Sequence, residues 1–169
     1  GLGLLLDALV AAPELRLKIV GGGKPENEQR LRDEIAKRGI TERVELTGRV
    51  AQKDIPLHVK DACCAVHPLP PEHSISARFT SPLKVFEYMA MGVPIVAAGV
   101  PSVKEVLRDG ENARLYEPGD ATALAAALQE VAGNPEPANK LSKQAVTDAQ
   151  QYTYRQRATR LIDLFKQVS

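Results

Sequence analysis

Short apolar runs of strand length alternate with longer stretches of helical periodicity along the chain. This alternation is the pattern of strands joined by crossover helices, and it limits the fold to an α/β architecture with a mostly parallel sheet. The predicted strands are the runs 17–20, 44–48, 62–66, 95–98 and 113–116. The run 62–66 is apolar throughout, which is typical of a strand covered by helices on both faces. We therefore predict a Rossmann-like three-layer α/β/α fold.

The first predicted element is a helix rather than a strand. Leu2, Leu5, Leu6 and Leu9 recur at helical spacing ahead of the run 17–20. A doubly wound sheet normally begins with a strand that lies in its middle, where the following loop meets the ligand. The missing strand predicts a vacant sheet position and indicates that the chain is a fragment of a longer protein. Because unpaired strand edges attract other strands, a dimer through the vacant position is a candidate assembly.

Length, charge and hydropathy narrow the function classes. The chain has 169 residues, enough for one well-buried core, and we predict a single domain over residues 1–169. Lys and Arg number 22 against 21 Asp and Glu, so no basic field indicates a nucleic-acid partner. No apolar run approaches the roughly 18 residues of a bilayer span, and the chain does not open with a signal peptide, so we predict a cytoplasmic protein.

The cysteines and histidines do not have the spacing of metal ligands. Cys63 and Cys64 are adjacent in a predicted strand, where their side chains would point to opposite faces, so we expect packed and reduced thiols. His58, His67 and His73 lack suitably spaced acidic or thiol partners. The sequence therefore predicts no metal site.

A glycine-rich loop follows the first predicted strand. Gly21, Gly22 and Gly23 precede a helix, where small residues let a phosphate approach backbone N–H groups. The spacing does not match a dinucleotide fingerprint, because Glu26 stands at the third glycine position, and no P-loop Lys-Ser pair follows. The loop is therefore either a phosphate-facing turn or a flexible turn.

The helix predicted over 82–91 carries the most informative chemistry. Ser81 is a suitable N-cap, and Gly92 is placed just past the helix end. The positive charge of Lys84 in the first turn interacts unfavourably with the helix dipole, by roughly 0.3–1 kcal/mol. A bound anion at the same end of the helix would make a lysine there favourable. Glu87, one turn further along, is suited to accept hydrogen bonds from the vicinal hydroxyls of a ribose. The alternative is a solvated Lys–Glu pair at spacing i,i+3.

The run 81–97, S-P-L-K-V-F-E-Y-M-A-M-G-V-P-I-V-A, resembles the donor-binding signature of GT-B glycosyltransferases, in particular the retaining family-4 group. The resemblance extends over nearly the whole chain, through the runs 17–23, 44–50, 62–68 and 101–113. It implies one GT-B half: the C-terminal Rossmann-like domain that binds a nucleotide-diphosphate sugar. A missing N-terminal domain would hold the acceptor.

The resemblance also implies roles for residues around the predicted helix. Glu87 would hold the ribose hydroxyls, and the backbone of Ser81, Pro82 and Leu83 would face the diphosphate. Lys84 would support the phosphate charge, and it is the one candidate here for a catalytic role. No metal or other cofactor is implied, because the helix N-terminus and basic side chains would stabilise the leaving group.

Further site residues are implied in the loops after the first two predicted strands. Gly22 would line the phosphate side, and Arg49 and Val50 would border the base. Many family members carry a second glutamate eight positions before the one that corresponds to Glu87, whereas this chain has Phe79 there. That departure affects the recognition of the sugar.

The resemblance implies a hexosyltransferase that transfers a sugar with retention and releases a nucleoside diphosphate. The fragment alone would be inactive, and the longer protein would be cytoplasmic or peripheral to a membrane. Two alternatives stay open: a degenerate GT-B domain that acts as a scaffold, and half of a GT-B-like nucleotide-sugar epimerase. Base, sugar and acceptor are not determined by the sequence.

Overall fold

The computed structural model describes residues 1–69 and 83–167, which form eight helices and five strands within those ranges. The helices are α1 (Leu2–Ala11), α2 (Pro25–Lys37), α3 (Ile55–Val59), α4 (Leu83–Met91), α5 (Pro101–Lys104), α6 (Ala121–Gly133), α7 (Pro135–Ala149) and α8 (Tyr154–Gln167). The strands are β1 (Leu17–Ile19), β2 (Val44–Leu46), β3 (Ala65–His67), β4 (Ile95–Ala98) and β5 (Arg114–Tyr116). Three short 3-10 helices add to these at Thr41–Arg43, Gln52–Asp54 and Gln150–Tyr152.

The pairings between the five described strands are all parallel, which confirms the predicted α/β class. β1 pairs with β2, with Leu17 opposite Val44. β3, β4 and β5 form a second sheet in that order, in which Ala65 lies opposite Ile95 and Ala97 opposite Leu115. Parallel neighbours require crossover connections, and the helices between the strands supply them.

β4 lies at the centre of the main core. All four of its residues are buried, and the packed helix pairs α1 with α6 and α4 with α7 surround the same cluster. Val85 and Met89, one helical turn apart, are fully buried and anchor α4 on this core. The strand with both faces covered is therefore β4, and not the run 62–66 as the sequence predicted.

β3 is shorter than predicted, and its two preceding cysteines lie outside it. The N–H of Ala62 donates to the Val59 carbonyl, which closes a turn after α3. The N–H of Ala65 then donates to the Pro94 carbonyl, and the strand begins there. Cys63 is exposed and Cys64 is half-buried. The prediction of two packed thiols is wrong for Cys63, because the turn holds its side chain outside the sheet.

α1 connects the two sheets. Leu5 and Ala8 pack in the cluster around β4, whereas Leu6 and Leu9 pack in a second cluster with Ile35. Gly1 lies against Pro68, since a Cβ built on Gly1 would be 2.0 Å from the Pro68 carbonyl oxygen. α1 therefore starts at the carboxyl end of β3 and leads back to the start of β1.

β1 and β3 each lie at an end of their own sheet. The chain forms β1 and β2 in one sheet and then β3, β4 and β5, in that order, in the other. Within residues 1–69 and 83–167, the second edge of β1 and the second edge of β3 have no strand partner. Two separate sheets agree with the vacant position that the sequence predicted.

A buried polar network ties the turn before β5 to α7. Asn112 is fully buried, and its Nδ2 donates to the Asp148 carboxylate at 2.7 Å and to the Val106 carbonyl at 3.2 Å. Its Oδ1 accepts from the N–H of Arg108 at 2.7 Å. Burial raises the pKa of Asp148, but hydrogen bonds from Asn112, Gln144 and Arg108 outweigh this effect and leave it below its ordinary value.

α8 differs from the other long helices, because every one of its residues is exposed to solvent. Leu161, Ile162 and Phe165 are each about half exposed or more, at 47%, 54% and 66%. Of the helices in the part of the chain that the structure describes, not one has the length and apolar character to cross a membrane.

Candidate functional site

The loops after β1 and β2 meet at the carboxyl edge of their sheet. Thr47 connects them: its N–H donates to the Ile19 carbonyl at 3.1 Å, and its Oγ1 accepts from the N–H of Gly21 at 3.2 Å. Gly21 and Gly48 have φ values of +115° and +67°, which other residues adopt rarely. The two glycines let both loops turn tightly at this point.

Gly22 packs against the backbone of the second loop. A Cβ built on Gly22 would lie 2.9 Å from the Arg49 nitrogen and 3.1 Å from the Gly48 carbonyl carbon. Three predicted site residues, Gly22, Arg49 and the adjacent Val50, are therefore brought to one place. This contact depends on two loops that are far apart in the sequence but follow neighbouring strands.

Glu28 was not predicted as a site residue, and the structure places its carboxylate at the glycine loop. Its Oε1 accepts from the N–H of Gly23 at 3.2 Å and would lie 2.4 Å from a Cβ on Gly22. The carboxylate already occupies the position where the sequence predicted an anion near Gly22. Its negative charge disfavours a phosphate at this loop and favours a base or a ribose there.

The exposed face of α4 carries the second group of predicted site residues. Leu83 is 65% exposed, and Lys84 and Glu87 are also exposed, because Val85 and Met89 face the core. Gly92, with φ +64°, ends the helix as predicted. The predictions for Ser81, Pro82 and Phe79 concern residues outside the described part of the chain.

His67, at the carboxyl end of β3, lies close to the first turn of α4. Its pKa is lowered by burial and then by the nearby charge of Lys84. Its Nε2 is buried and makes no hydrogen bond to any part of the chain that the structure describes. The sequence predicts no role for His67, although its place at the carboxyl end of a predicted strand is a usable signal.

Glu87 affects the titration of its neighbour on α4. Burial raises the pKa of Tyr88, and the carboxylate of Glu87 raises it further by disfavouring a second negative charge. Among residues 1–69 and 83–167, no group of three or more His, Cys, Asp or Glu side chains is placed so that it could hold a metal ion. The expectation that no metal takes part stays a prediction.

Each of the two groups of residues follows the carboxyl end of a strand. Gly22, Arg49 and Val50 follow β1 and β2, whereas Lys84 and Glu87 follow β3. In open α/β sheets, ligands bind outside the carboxyl ends of the strands at the point where the strand order reverses. Each sheet therefore has predicted site residues beyond its carboxyl edge, namely glycine loops on one sheet and a cation with a carboxylate on the other.

Replacing Gly22 by alanine tests the contact between the two loops. The new Cβ would be 2.9 Å from the Arg49 nitrogen, so we expect the backbone to shift and the free energy of unfolding to fall by about 1–3 kcal/mol. In the matched control Gly23→Ala, the nearest atoms are 3.8 Å away, and we expect a change within about 0.5 kcal/mol. Urea denaturation measures both variants. Equal effects would contradict the packing described here.

Comparison with known proteins gives consistent matches. The sequence model of the family described as "Glycosyl transferases group 1" matches residues 1–134. A phosphatidyl-myo-inositol mannosyltransferase from Mycobacterium leprae is 34% identical over 134 residues, which cover 76% of this chain and 32% of that protein. A D-inositol 3-phosphate glycosyltransferase from Streptomyces coelicolor is 30% identical over 163 residues, which cover 90% of this chain and 34% of that protein.

Among solved structures, Anabaena HepE in complex with UDP-glucose has a TM-score of 0.76 and 25% sequence identity. The match covers 89% of this chain and 40% of that one. The chain spans about a third of the length of the curated relatives that it matches.

Proposed function

The chain belongs to the glycosyl transferases group 1 family, and on that premise we propose that it is the donor-binding domain of a glycosyltransferase. The donor is a nucleotide-diphosphate sugar, and the acceptor is held by a second domain of the longer protein. The observations that support the proposal are the contact between the loops of Gly22 and Arg49 and the exposure of Lys84 and Glu87 on the helix that follows β3. The UDP-glucose held by HepE supports this donor class.

The donor lies along the carboxyl edge of the sheets. Glu87 accepts hydrogen bonds from the ribose hydroxyls, while the start of α4 at Leu83 faces the diphosphate. Arg49 and Val50 border the base. Gly22 lines the donor on the same side, next to the base, because the carboxylate of Glu28 disfavours the phosphates there.

The reaction breaks the bond between the anomeric carbon of the sugar and a phosphate oxygen, and it forms a bond to an acceptor oxygen with retention. The leaving nucleoside diphosphate gains negative charge. Lys84 and the positive end of the α4 dipole stabilise that charge without a metal or other cofactor. The isolated chain binds the donor but does not turn it over, because the acceptor site is elsewhere. The longer protein works in the cytoplasm, where its thiols stay reduced, or peripherally at a membrane.

Calorimetric titration of the chain with UDP, GDP and ADP tests the proposal. Binding of one of them would support the donor-binding function and identify the base. Absence of binding to this chain and also to the longer protein would favour the scaffold alternative. Incubation of the longer protein with the matching nucleotide sugar, without acceptor, distinguishes the epimerase, since only an epimerase would then change the configuration of the sugar.

The vacant sheet position gives a separate prediction. We propose that a strand from a second copy can occupy it, because the free edges of β1 and β3 present unpaired backbone groups. Light scattering across a range of concentrations should then give a mass that rises toward twice the 18.3 kDa of one chain. A monomer at every concentration would contradict the dimer.

A further inference from the structure

α8 is an amphipathic helix at the surface of the domain. All 14 of its residues are exposed to solvent, and Tyr154 at its start is 84% exposed. Its first turn is capped, because the Thr153 hydroxyl accepts from the N–H of Gln156 at 3.2 Å. The Arg160 side chain also donates to the Gln151 carbonyl at 3.1 Å. α8 is therefore attached at its start, and its side chains are accessible along its length.

Most of the apolar side chains of α8 share one side of the helix. At about 100° per residue, five positions fall within an arc of about 100°. They are Tyr154, Ala158, Leu161, Ile162 and Phe165. Leu161 is 47% exposed and Ile162 is 54% exposed. Side chains of this size gain free energy when they leave water, so this apolar face fits an apolar surface.

The charged side chains of α8 are arranged around the apolar face. Arg155 and Lys166 border it on one side, and Arg157 borders it on the other. Arg160 is further round the helix, and Asp163 lies opposite the apolar face. These charges give the helix a net charge of +3, whereas the whole chain has +1. The positive helix therefore belongs to a chain whose remainder is slightly negative.

We propose that α8 is a membrane-surface helix that binds anionic lipid bilayers. Its apolar side chains enter the boundary between headgroups and acyl chains, and the bordering Arg and Lys side chains extend to the lipid phosphates. With 14 residues, α8 is shorter than the about 20 residues that cross a bilayer, so it lies along the surface. The same surface repels the negative remainder of the chain, which turns α8 toward the lipid. The inference is independent of the donor site.

A second protein surface is the other kind of partner that an amphipathic helix can bind. Protein interfaces pair positive patches with negative ones of limited size, whereas anionic lipids present one sign of charge over the whole membrane surface. α8 has cations on both borders of its apolar face and its acid on the far side, which matches the membrane. Docking on a second domain of the longer protein is the outcome that the experiment separates from membrane binding.

Co-sedimentation of the chain with lipid vesicles tests the proposal. We expect binding to phosphatidylcholine vesicles with about 30% phosphatidylglycerol to be at least tenfold tighter than binding to phosphatidylcholine alone. Raising NaCl from about 0.05 to 0.5 M should weaken the binding, because salt screens the charges. The longer protein should bind in the same way. Equal binding to both kinds of vesicle, no binding to the anionic vesicles, or binding by this chain but not by the longer protein would each overturn the proposal.

A double variant tests the apolar face. Leu161→Gln combined with Ile162→Gln should weaken binding to the anionic vesicles at least tenfold, because two side chains no longer gain from leaving water. Glutamine keeps the helix propensity, and both positions are exposed, so thermal unfolding followed by circular dichroism should not change. The matched control is Leu57→Gln, at a position on α3 that is 64% exposed. The control should bind as the unchanged chain does.

A second double variant tests the charges. Arg155→Gln combined with Lys166→Gln should weaken binding to the anionic vesicles about 10- to 30-fold, at about fivefold for each cation near the surface. Binding to phosphatidylcholine alone should stay the same. Arg32→Gln, at an exposed position of α2, is the matched control and should bind like the unchanged chain. Full binding by either double variant, or an equal loss in either control, would contradict a membrane contact through α8.

Discussion

Replacing Glu87 by alanine is expected to weaken binding of the nucleoside diphosphate about 10- to 100-fold. A charged hydrogen-bond acceptor for two hydroxyls contributes about 1.5–3 kcal/mol, which corresponds to that range of affinity. Glu87 is exposed, and the buried residues Val85 and Met89 hold its helix in place. The substitution should therefore leave folding unchanged. Calorimetric titration with the nucleotide that binds the unchanged chain measures the effect.

A second ligand separates a direct contact from an indirect one. If Glu87 holds the ribose, a 2′,3′-dideoxynucleotide should bind the unchanged chain as weakly as the full nucleotide binds Glu87→Ala. Glu87→Ala should then bind the full nucleotide and the dideoxynucleotide with the same affinity. Glu136→Ala, in the first turn of α7, is the matched control on an exposed glutamate. Independent, additive losses from the variant and the dideoxynucleotide would contradict the ribose contact.

Replacing Asn112 by alanine should lower the free energy of unfolding by about 3 kcal/mol, the largest stability effect that we predict. The substitution removes the donor at 2.7 Å from a buried carboxylate of Asp148 and leaves the Arg108 N–H without its side-chain acceptor. Arg108 and Gln144 still donate to Asp148, so the cost comes from the lost buried hydrogen bonds and from the cavity that the fully buried amide leaves. Asn139→Ala, on the exposed face of α7, is the control and should change stability little. Urea denaturation at neutral pH measures both.

The same variant should change the acid limb of the stability profile. The folded-state pKa of Asp148 is depressed, so its ionised form adds stability above its unfolded-state pKa. That stability is lost as pH falls through the folded-state pKa. In Asn112→Ala, one of the hydrogen bonds that offset the effect of burial on Asp148 is missing, so the pKa of Asp148 rises. Acid destabilisation should therefore begin at higher pH. Unfolding followed by circular dichroism from pH 7 down to pH 2 tests this. An unchanged acid limb would contradict the role of Asn112.

Sequence periodicity predicted the elements whose ends carry strong local signals. β4 was predicted over the residues that form it, and α4 ends at Met91 because Gly92 adopts a positive φ. Periodicity failed at the run 62–66, where apolar residues continue through a turn. The hydrogen bond from Ala62 to Val59 delays the start of the strand to Ala65, and a pattern of apolar letters contains no information on that bond.

The candidate site was predicted only in part, because part of it is made by contacts between distant loops. Gly22 and Arg49 were proposed from a resemblance, and the structure adds that their backbones touch. Glu28 looked like an ordinary helical acid, and its contact with Gly23 depends on how the loop turns. The roles of Lys84 and Glu87 in binding the donor stay predictions.

The position of α1 has a mechanical consequence. In the part of the chain that the structure describes, β1 and β2 are joined to the other three strands by apolar side chains of α1, its following turn and Leu17 of β1, not by a continuous ladder of backbone hydrogen bonds. Apolar contacts resist separation but are less directional than a hydrogen-bonded ladder, so we expect the smaller sheet to tilt on α1 as a unit. A nucleotide held by Arg49 at one end and Glu87 at the other would then brace the two parts, and binding would stiffen the whole domain.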